Sequence, residues 1–158
     1  MVIDLAYGRQ GLALNLPDAW NVTVIEPRFV AGLPDAGAAL QTALAAPLGS
    51  PPLAQLVQPD QRVGIVFSDI TRATPHGLIL PAVLAELSYV PSDQITLFCA
   101  LGTHRPNTRE ELRAMFAMGG SPEAADDLLG RYRIVQNDAF DLSTQQCIGV
   151  TSRGHSIW

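Results

Sequence analysis

Twice in the middle of this chain an apolar run rich in β-branched residues leads into a polar loop and then into a helix-forming segment. No other feature constrains the fold as tightly. Arg62–Phe67 (Arg-Val-Gly-Ile-Val-Phe) has the composition of a strand buried on both faces of a parallel sheet. Ser68–Thr74 supplies the loop, and Pro75 opens a helix from about His76 to Leu87, where its fixed φ and missing N–H are tolerated. The pattern then recurs: Gln94–Ala100 is the strand and Leu101–Asn107 the loop, while Thr108 and Glu111 form a capping-box pair opening a helix that Gly119-Gly120 ends. Ser121–Leu129 restarts a helix, and Tyr132–Val135 reads as a third core strand. Strands that alternate with helices are joined by right-handed crossovers. The fold class is therefore α/β, a mostly parallel, Rossmann-like sheet with flanking helices.

The ends of the chain add smaller elements. Val2–Ala6 and Leu12–Leu16 flank a Tyr7–Gly11 turn and predict an N-terminal β-hairpin, with Val22–Ile25 as a third strand ahead of Pro27. Asp35–Ala46 is rich in alanine and leucine; Asp35 caps it, and Pro47, Gly49 and Pro51-Pro52 close it. Pro47–Pro59 is the best connecting segment and Cys147–Val150 a short additional strand. With 47% hydrophobic and 16% charged residues, the 158-residue chain has apolar mass for one core, so residues 1–158 are expected to form a single α/β domain.

Charge and residue usage exclude several functions. A net charge of -5 and a pI near 5.0 argue against a nucleic-acid or an anionic-membrane partner. All ten cationic residues are arginine, which removes lysine Schiff bases and P-loop lysines. Cys99 and Cys147 have neither metal nor redox spacing, Met1–Ala6 lacks signal-peptide features, and no apolar stretch approaches about 18 residues. A cytoplasmic protein without disulfides is expected. His76, His104 and His155 are too scattered for a zinc site, no metal ligands are assigned, and no dinucleotide glycine fingerprint occurs. His76 and His155 read as surface residues.

In an open parallel sheet, ligands bind beyond the carboxyl ends of the strands. Two polar loops occupy those positions. Ser68-Asp69-Ile70-Thr71-Arg72 joins a carboxylate, two hydroxyls and a guanidinium; Arg72 can clamp an anion, helped by free N–H groups of the following helix. The alternative is that Asp69 and Arg72 pair with each other and cap that helix. Leu101-Gly102-Thr103-His104-Arg105-Pro106 places a histidine, suited to acid/base work on a bound anion, at the end of the adjacent strand. Its ordinary use would be structural. Gly102 suggests either a close backbone approach or a plain turn.

Taken together, Ser68-Asp69-Ile70-Thr71-Arg72 and Gly102-Thr103-His104-Arg105-Pro106 resemble the N-terminal domain of nickel-dependent lactate racemases. The resemblance extends to Asp4-Leu5-Ala6-Tyr7-Gly8, Ile79-Leu80-Pro81, Thr108-Arg109-Glu110-Glu111 and Asn137-Asp138-Ala139. It implies racemisation or epimerisation of a small 2-hydroxy acid through a nickel-pincer nucleotide (Ni-pyridinium-3,5-bisthiocarboxylic acid mononucleotide), which accepts and returns hydride at a flat keto acid. On this resemblance Asp69, Ile70, Thr71 and Arg72 contact the cofactor nucleotide, Arg72 also holds the substrate carboxylate, and His104 takes the proton from the 2-hydroxyl. The family's second catalytic histidine, its nickel-ligating histidine and its tethering lysine lie further along a typical member than this chain extends. The resemblance thus implies the N-terminal half of an enzyme whose C-terminal catalytic half is absent, with no cofactor retained and no activity alone. Ala73 replaces the family's usual proline, and Asn137 stands where histidine often precedes the aspartate. Two other classes compete: a stand-alone small-molecule or anion-binding module without catalysis, and a nucleotide-handling transferase, for which no phosphate-binding glycine loop is present.

Overall fold

The computed structural model describes residues Met1–Trp158, which group into two compact units, Met1–Gly32 and Leu33–Trp158. In the first unit β1 (Val2–Leu5) pairs antiparallel with β2 (Leu12–Asn15), Val2 opposite Asn15 and Leu5 opposite Leu12. Gly8 and Gly11 take positive φ in the connecting turn, which the Gly11 N–H closes onto the Tyr7 carbonyl. The third strand expected at Val22–Ile25 is absent. That segment pairs with no strand and Ile25 is 92% exposed, because β-branched residues form a strand only beside another strand's edge.

The second unit starts with α1 (Ala36–Ala45), where the Asp35 side chain accepts from the Ala38 N–H at 2.8 Å as an N-cap. The Pro47–Pro59 connection contains one helical turn, α2 (Leu53–Leu56), and Leu53 and Val57 pack against the core. The central elements follow in the order β3 (Val63–Ser68), α3 (His76–Glu86), β4 (Ile95–Ala100), α4 (Arg109–Ala117), α5 (Pro122–Arg131) and β5 (Arg133–Gln136). The strands form one parallel sheet, β3-β4-β5, with Ser68 opposite Ala100 and Cys99 opposite Gln136. The α/β class with a parallel sheet, flanking helices and an N-terminal antiparallel pair is what the sequence predicts. The strand near Cys147 proves to be β6 (Gly149–Val150), paired with β7 (Ser156–Ile157) as a separate ribbon.

Burial alternates along the sheet. Phe67, Ile95, Leu97 and Cys99 join the core with Leu80, Leu84, Leu112, Met115, Phe116 and Leu128 of the helices, whereas Val66 is 69% and Phe98 40% exposed. The double-sided burial expected of β3 is therefore corrected: its apolar run reflects β-propensity, and a single sheet face carries the core. No helix is long and apolar enough to cross a membrane.

The helices pack closely at one point. The Gly77 N–H, in the first turn of α3, donates to the Met118 carbonyl at 2.9 Å, just beyond the end of α4. Pro81 has no N–H to give the Gly77 carbonyl one turn back, and that carbonyl faces Gly120. Gly119, at φ +79°, turns the chain there.

Candidate functional site

Because β3 and β4 are parallel and in register at Ser68 and Ala100, the loops that follow them leave the sheet from one edge. Asp69 begins the first loop and is 4% exposed. A buried carboxylate demands partners, and Asp69 has three. Its Oδ2 meets His104 Nδ1 from the second loop, while Oδ1 accepts from the Thr71 hydroxyl at 2.7 Å and the Thr71 N–H at 3.2 Å. The His104 hydrogen bond, seconded by Thr71, holds the Asp69 carboxyl below its ordinary range against the opposing effect of burial, so it is ionised. The His104 side chain is half-exposed, and its Nε2 has no partner within the chain.

The Arg72 N–H donates to the Asp69 carbonyl and closes the loop, but its exposed guanidinium has neither a hydrogen bond nor an ion pair. With Ser68, Asp69, Gly102, Thr103 and His104 it lines a cavity of about 250 Å³. Ile70 and Thr71 lie on the other side of the Asp69–His104 pair, lining a second cavity of about 240 Å³ with Arg105 and Asn107. The expected site residues are thus neighbours, divided between two cavities that share Asp69 and His104.

Several expectations need correction. Asp69 and Arg72 do not pair, and the N-cap position of α3, Pro75, provides no side-chain cap. The first turn of α3 offers no free N–H groups to an anion, since Pro75 lacks one, His76 donates to the Thr74 carbonyl and Gly77 to that of Met118. Arg105 is occupied too, in a bidentate pair with Glu111 at 2.7 and 2.8 Å, which holds the Glu111 carboxyl down to about 2. Gly102, at φ +60° with open space where a Cβ would stand, is a turn glycine.

His76, read from sequence as a surface residue, is 3% exposed. Its ring stands edge-on to Phe67, and Nε2 is 3.3 Å from the Ser68 hydroxyl. The signal is present in His-Gly-Leu-Ile-Leu-Pro-Ala-Val-Leu-Ala, because a helix apolar on all sides is a buried helix and its histidine goes inside with it. The Asn107–Gln136 pair has no comparable signal in the sequence. The Asn107 N–H donates to Gln136 Oε1 at 2.8 Å and the Gln136 amide returns a bond to the Asn107 carbonyl at 2.9 Å, tying the second loop to β5. Burial raises the neighbouring Cys99 thiol to about 11, which leaves it unreactive.

The site gives stability a pH dependence of definite sign. Burial lowers the His76 pKa, so its contribution is complete above about 6.5 and is lost as pH falls from there through the native value. The lowered Asp69 pKa acts in the same direction further down, holding above about 4 and failing as pH falls through its native value. Urea midpoints are expected to be flat between about pH 7 and 8 and to fall in two stages under acid, with the first stage absent in His76→Phe.

The chain matches the family model "Lactate racemase N-terminal domain" over residues 7–158. It belongs to that family. The lactate racemase of Thermoanaerobacterium thermosaccharolyticum is 27% identical over 98% of this chain, and that of Lactiplantibacillus plantarum is 32% identical over 68% of it. The structure of the lactate racemase apoprotein from the former organism superimposes on 99% of the chain with a TM-score of 0.71 and 25% identity. The chain spans only 35% and 24% of the two relatives' lengths and 34% of the solved chain.

The chemistry of the exposed loops fits an anionic nucleotide. Arg72 is an unpaired cation beside one cavity, and the 42% exposed Ile70 offers an apolar surface at the other. No three His, Cys, Asp or Glu side chains stand together in this chain.

Proposed function

We propose that this chain is the domain of a nickel-pincer-nucleotide-dependent 2-hydroxy acid racemase that faces cofactor and substrate. One observation carries the reading. An exposed histidine is fixed through Nδ1 by a buried, ionised aspartate, and an unpaired arginine lines the same cavity. When bound, the nucleotide supplies hydride acceptance and return at carbon 2 of the substrate. Asp69, besides lying where a nucleotide can reach the loop, holds the Nδ1 proton of His104 and leaves the Nε2 lone pair to receive the proton of the 2-hydroxyl. The imidazolium so formed sits against the Asp69 carboxylate, which stabilises it until the proton is returned. Arg72 holds the substrate carboxylate in a planar two-point contact, and Ile70 and Thr71 flank the nucleotide.

Arg72→Ala is expected to weaken substrate binding by roughly 1.5–3 kcal/mol, the value of a charge-assisted contact, and to lower nucleotide occupancy. Arg72→Lys should recover little of this, since an ammonium cannot reproduce the fork. Titration of the complete enzyme with each enantiomer of lactate, alongside quantified nucleotide, checks both.

The absence of lysine and the presence of one site histidine favour a second reading for the chain by itself, an anion-binding module without chemistry. The 158-residue chain is accordingly expected neither to racemise D- or L-lactate nor to keep stoichiometric nickel through purification. Chiral analysis of lactate after incubation and metal analysis of the purified chain test this. Racemisation by the chain without added cofactor would overturn the claim that its site is incomplete.

A further inference from the structure

Ser68 ends β3 half-buried and lines the cavity that Arg72 and His104 share, yet the proposed reaction gives it no part. Two groups approach its hydroxyl from within the protein, Thr74 Oγ1 at 3.0 Å and His76 Nε2 at 3.3 Å. His76 is almost wholly buried, its Nδ1 has no partner, and it too has no part in the reaction.

A count of hydrogens orients this cluster. A serine hydroxyl has one hydrogen and two lone pairs. The Ser68 and Thr74 hydroxyls are 3.0 Å apart and either can donate; with Thr74 as the donor, one lone pair of Ser68 Oγ is filled. Neutral His76 has one ring N–H. On Nδ1 it would be an orphaned buried donor, a rare and costly state, whereas on Nε2 it donates to Ser68 Oγ. In the arrangement where Thr74 and His76 both donate, both lone pairs are occupied and the Ser68 hydrogen is free for an anion in the cavity.

We propose that Ser68 is a second anion-holding group beside Arg72, its hydroxyl hydrogen aimed by Thr74 and His76 at an oxygen of a bound carboxylate or phosphate. The inference rests on reading the cavity as the place where Arg72 holds an anion, and it deepens that reading. Ser68 touches the ligand; Thr74 and His76 are positioning residues.

The test uses the 158-residue chain with ¹⁵N-labelled histidine. The ring nitrogen shifts of His76 are expected to show a protonated Nε2 and a bare Nδ1; a proton on Nδ1 overturns the proposal. Backbone amide shifts of the first loop are then followed during titration with sodium lactate and, separately, with inorganic phosphate. The tighter arm identifies the anion as carboxylate or phosphate, and failure to bind either overturns the proposal. Ser68→Ala is expected to weaken the tighter anion about tenfold and Ser68→Thr, which keeps the hydroxyl, to restore it. His76→Phe should weaken it about threefold when Ser68 is present and not at all when combined with Ser68→Ala. Equal losses in both backgrounds would make His76 merely structural. Should His76→Phe fail to fold, Thr74→Val replaces it in the same cycle, and the tautomer measurement needs no variant. Arg72→Ala separates the two claims. If it keeps full affinity the anion reading of the cavity fails, whereas loss in Arg72→Ala with no loss in Ser68→Ala removes Ser68 alone.

Discussion

In the complete enzyme of which we propose this chain is a part, His104→Ala is expected to lower racemase turnover about 10²–10⁴-fold, with KM for lactate and bound nickel nearly unchanged. The size follows from the proposed acid/base role. Nδ1 bonds Asp69, so on that proposal Nε2 is the nitrogen that exchanges protons with the substrate, and no other imidazole in this chain lines the cavity. The side chain is half-exposed and Asp69 keeps both Thr71 bonds, so the fold survives the truncation. Asp69→Asn is the sharper companion. Its amide either accepts from Nδ1 through oxygen, nearly preserving the wild-type arrangement, or donates through nitrogen and places the histidine proton on Nε2, where it blocks proton acceptance. The second arrangement predicts a large loss of turnover with intact binding. Turnover, KM and nickel content of the two variants, measured from both enantiomers, check the argument. Wild-type turnover in His104→Ala would assign the histidine to structure and favour the anion-binding module.

The elements readable from sequence are those whose signals are local. The capping box at Thr108 and Glu111, the Asp35 cap and the glycine pair ending α4 all stand where side-chain chemistry fixes a helix terminus within a few residues. The convergence of the two loops is readable too, since parallel strands joined by right-handed crossovers place their carboxyl ends together. Partner choice is not. Nothing local says that Asp69 bonds His104 rather than Arg72, or that Arg105 turns away to Glu111, because each pairing depends on how two loops distant in sequence meet. The false third strand at Val22–Ile25 has the same origin, for β-propensity does not supply a neighbouring edge. The burial of His76 differs: the apolar helix around it announces the outcome, but a histidine beside a proline at a helix start reads as exposed when it is taken singly.

The second large effect concerns stability and lies where α3 meets the end of α4. A Cβ on Gly77 would stand 2.3 Å from the Phe116 carbonyl oxygen and 2.9 Å from both the Gly120 nitrogen and the Met118 oxygen. All three are backbone atoms, so no side chain can swing aside and a helix must shift instead. Overpacking typically costs about 1–3 kcal/mol when side chains can adjust, and Gly77→Ala is expected at or above about 3 kcal/mol. That is a large share of the roughly 5–15 kcal/mol holding a domain together, and it lowers Tm by about 6–12 °C. Gly120→Ala meets the Gly77 carbonyl at 2.6 Å and should cost nearly as much, with the double variant less than additive because either methyl forces the same separation. Gly130, in α5, is the control. Its Cβ would meet nothing within 4 Å, so Gly130→Ala should stabilise the chain by about 0.5–1 kcal/mol through helix propensity. Urea unfolding of the four variants decides the matter, and a Gly77→Ala chain as stable as wild type would mean that α3 and α4 do not touch in solution. The site gives a second readout, since α3 begins at His76 and any shift of its first turn separates His76 from Ser68.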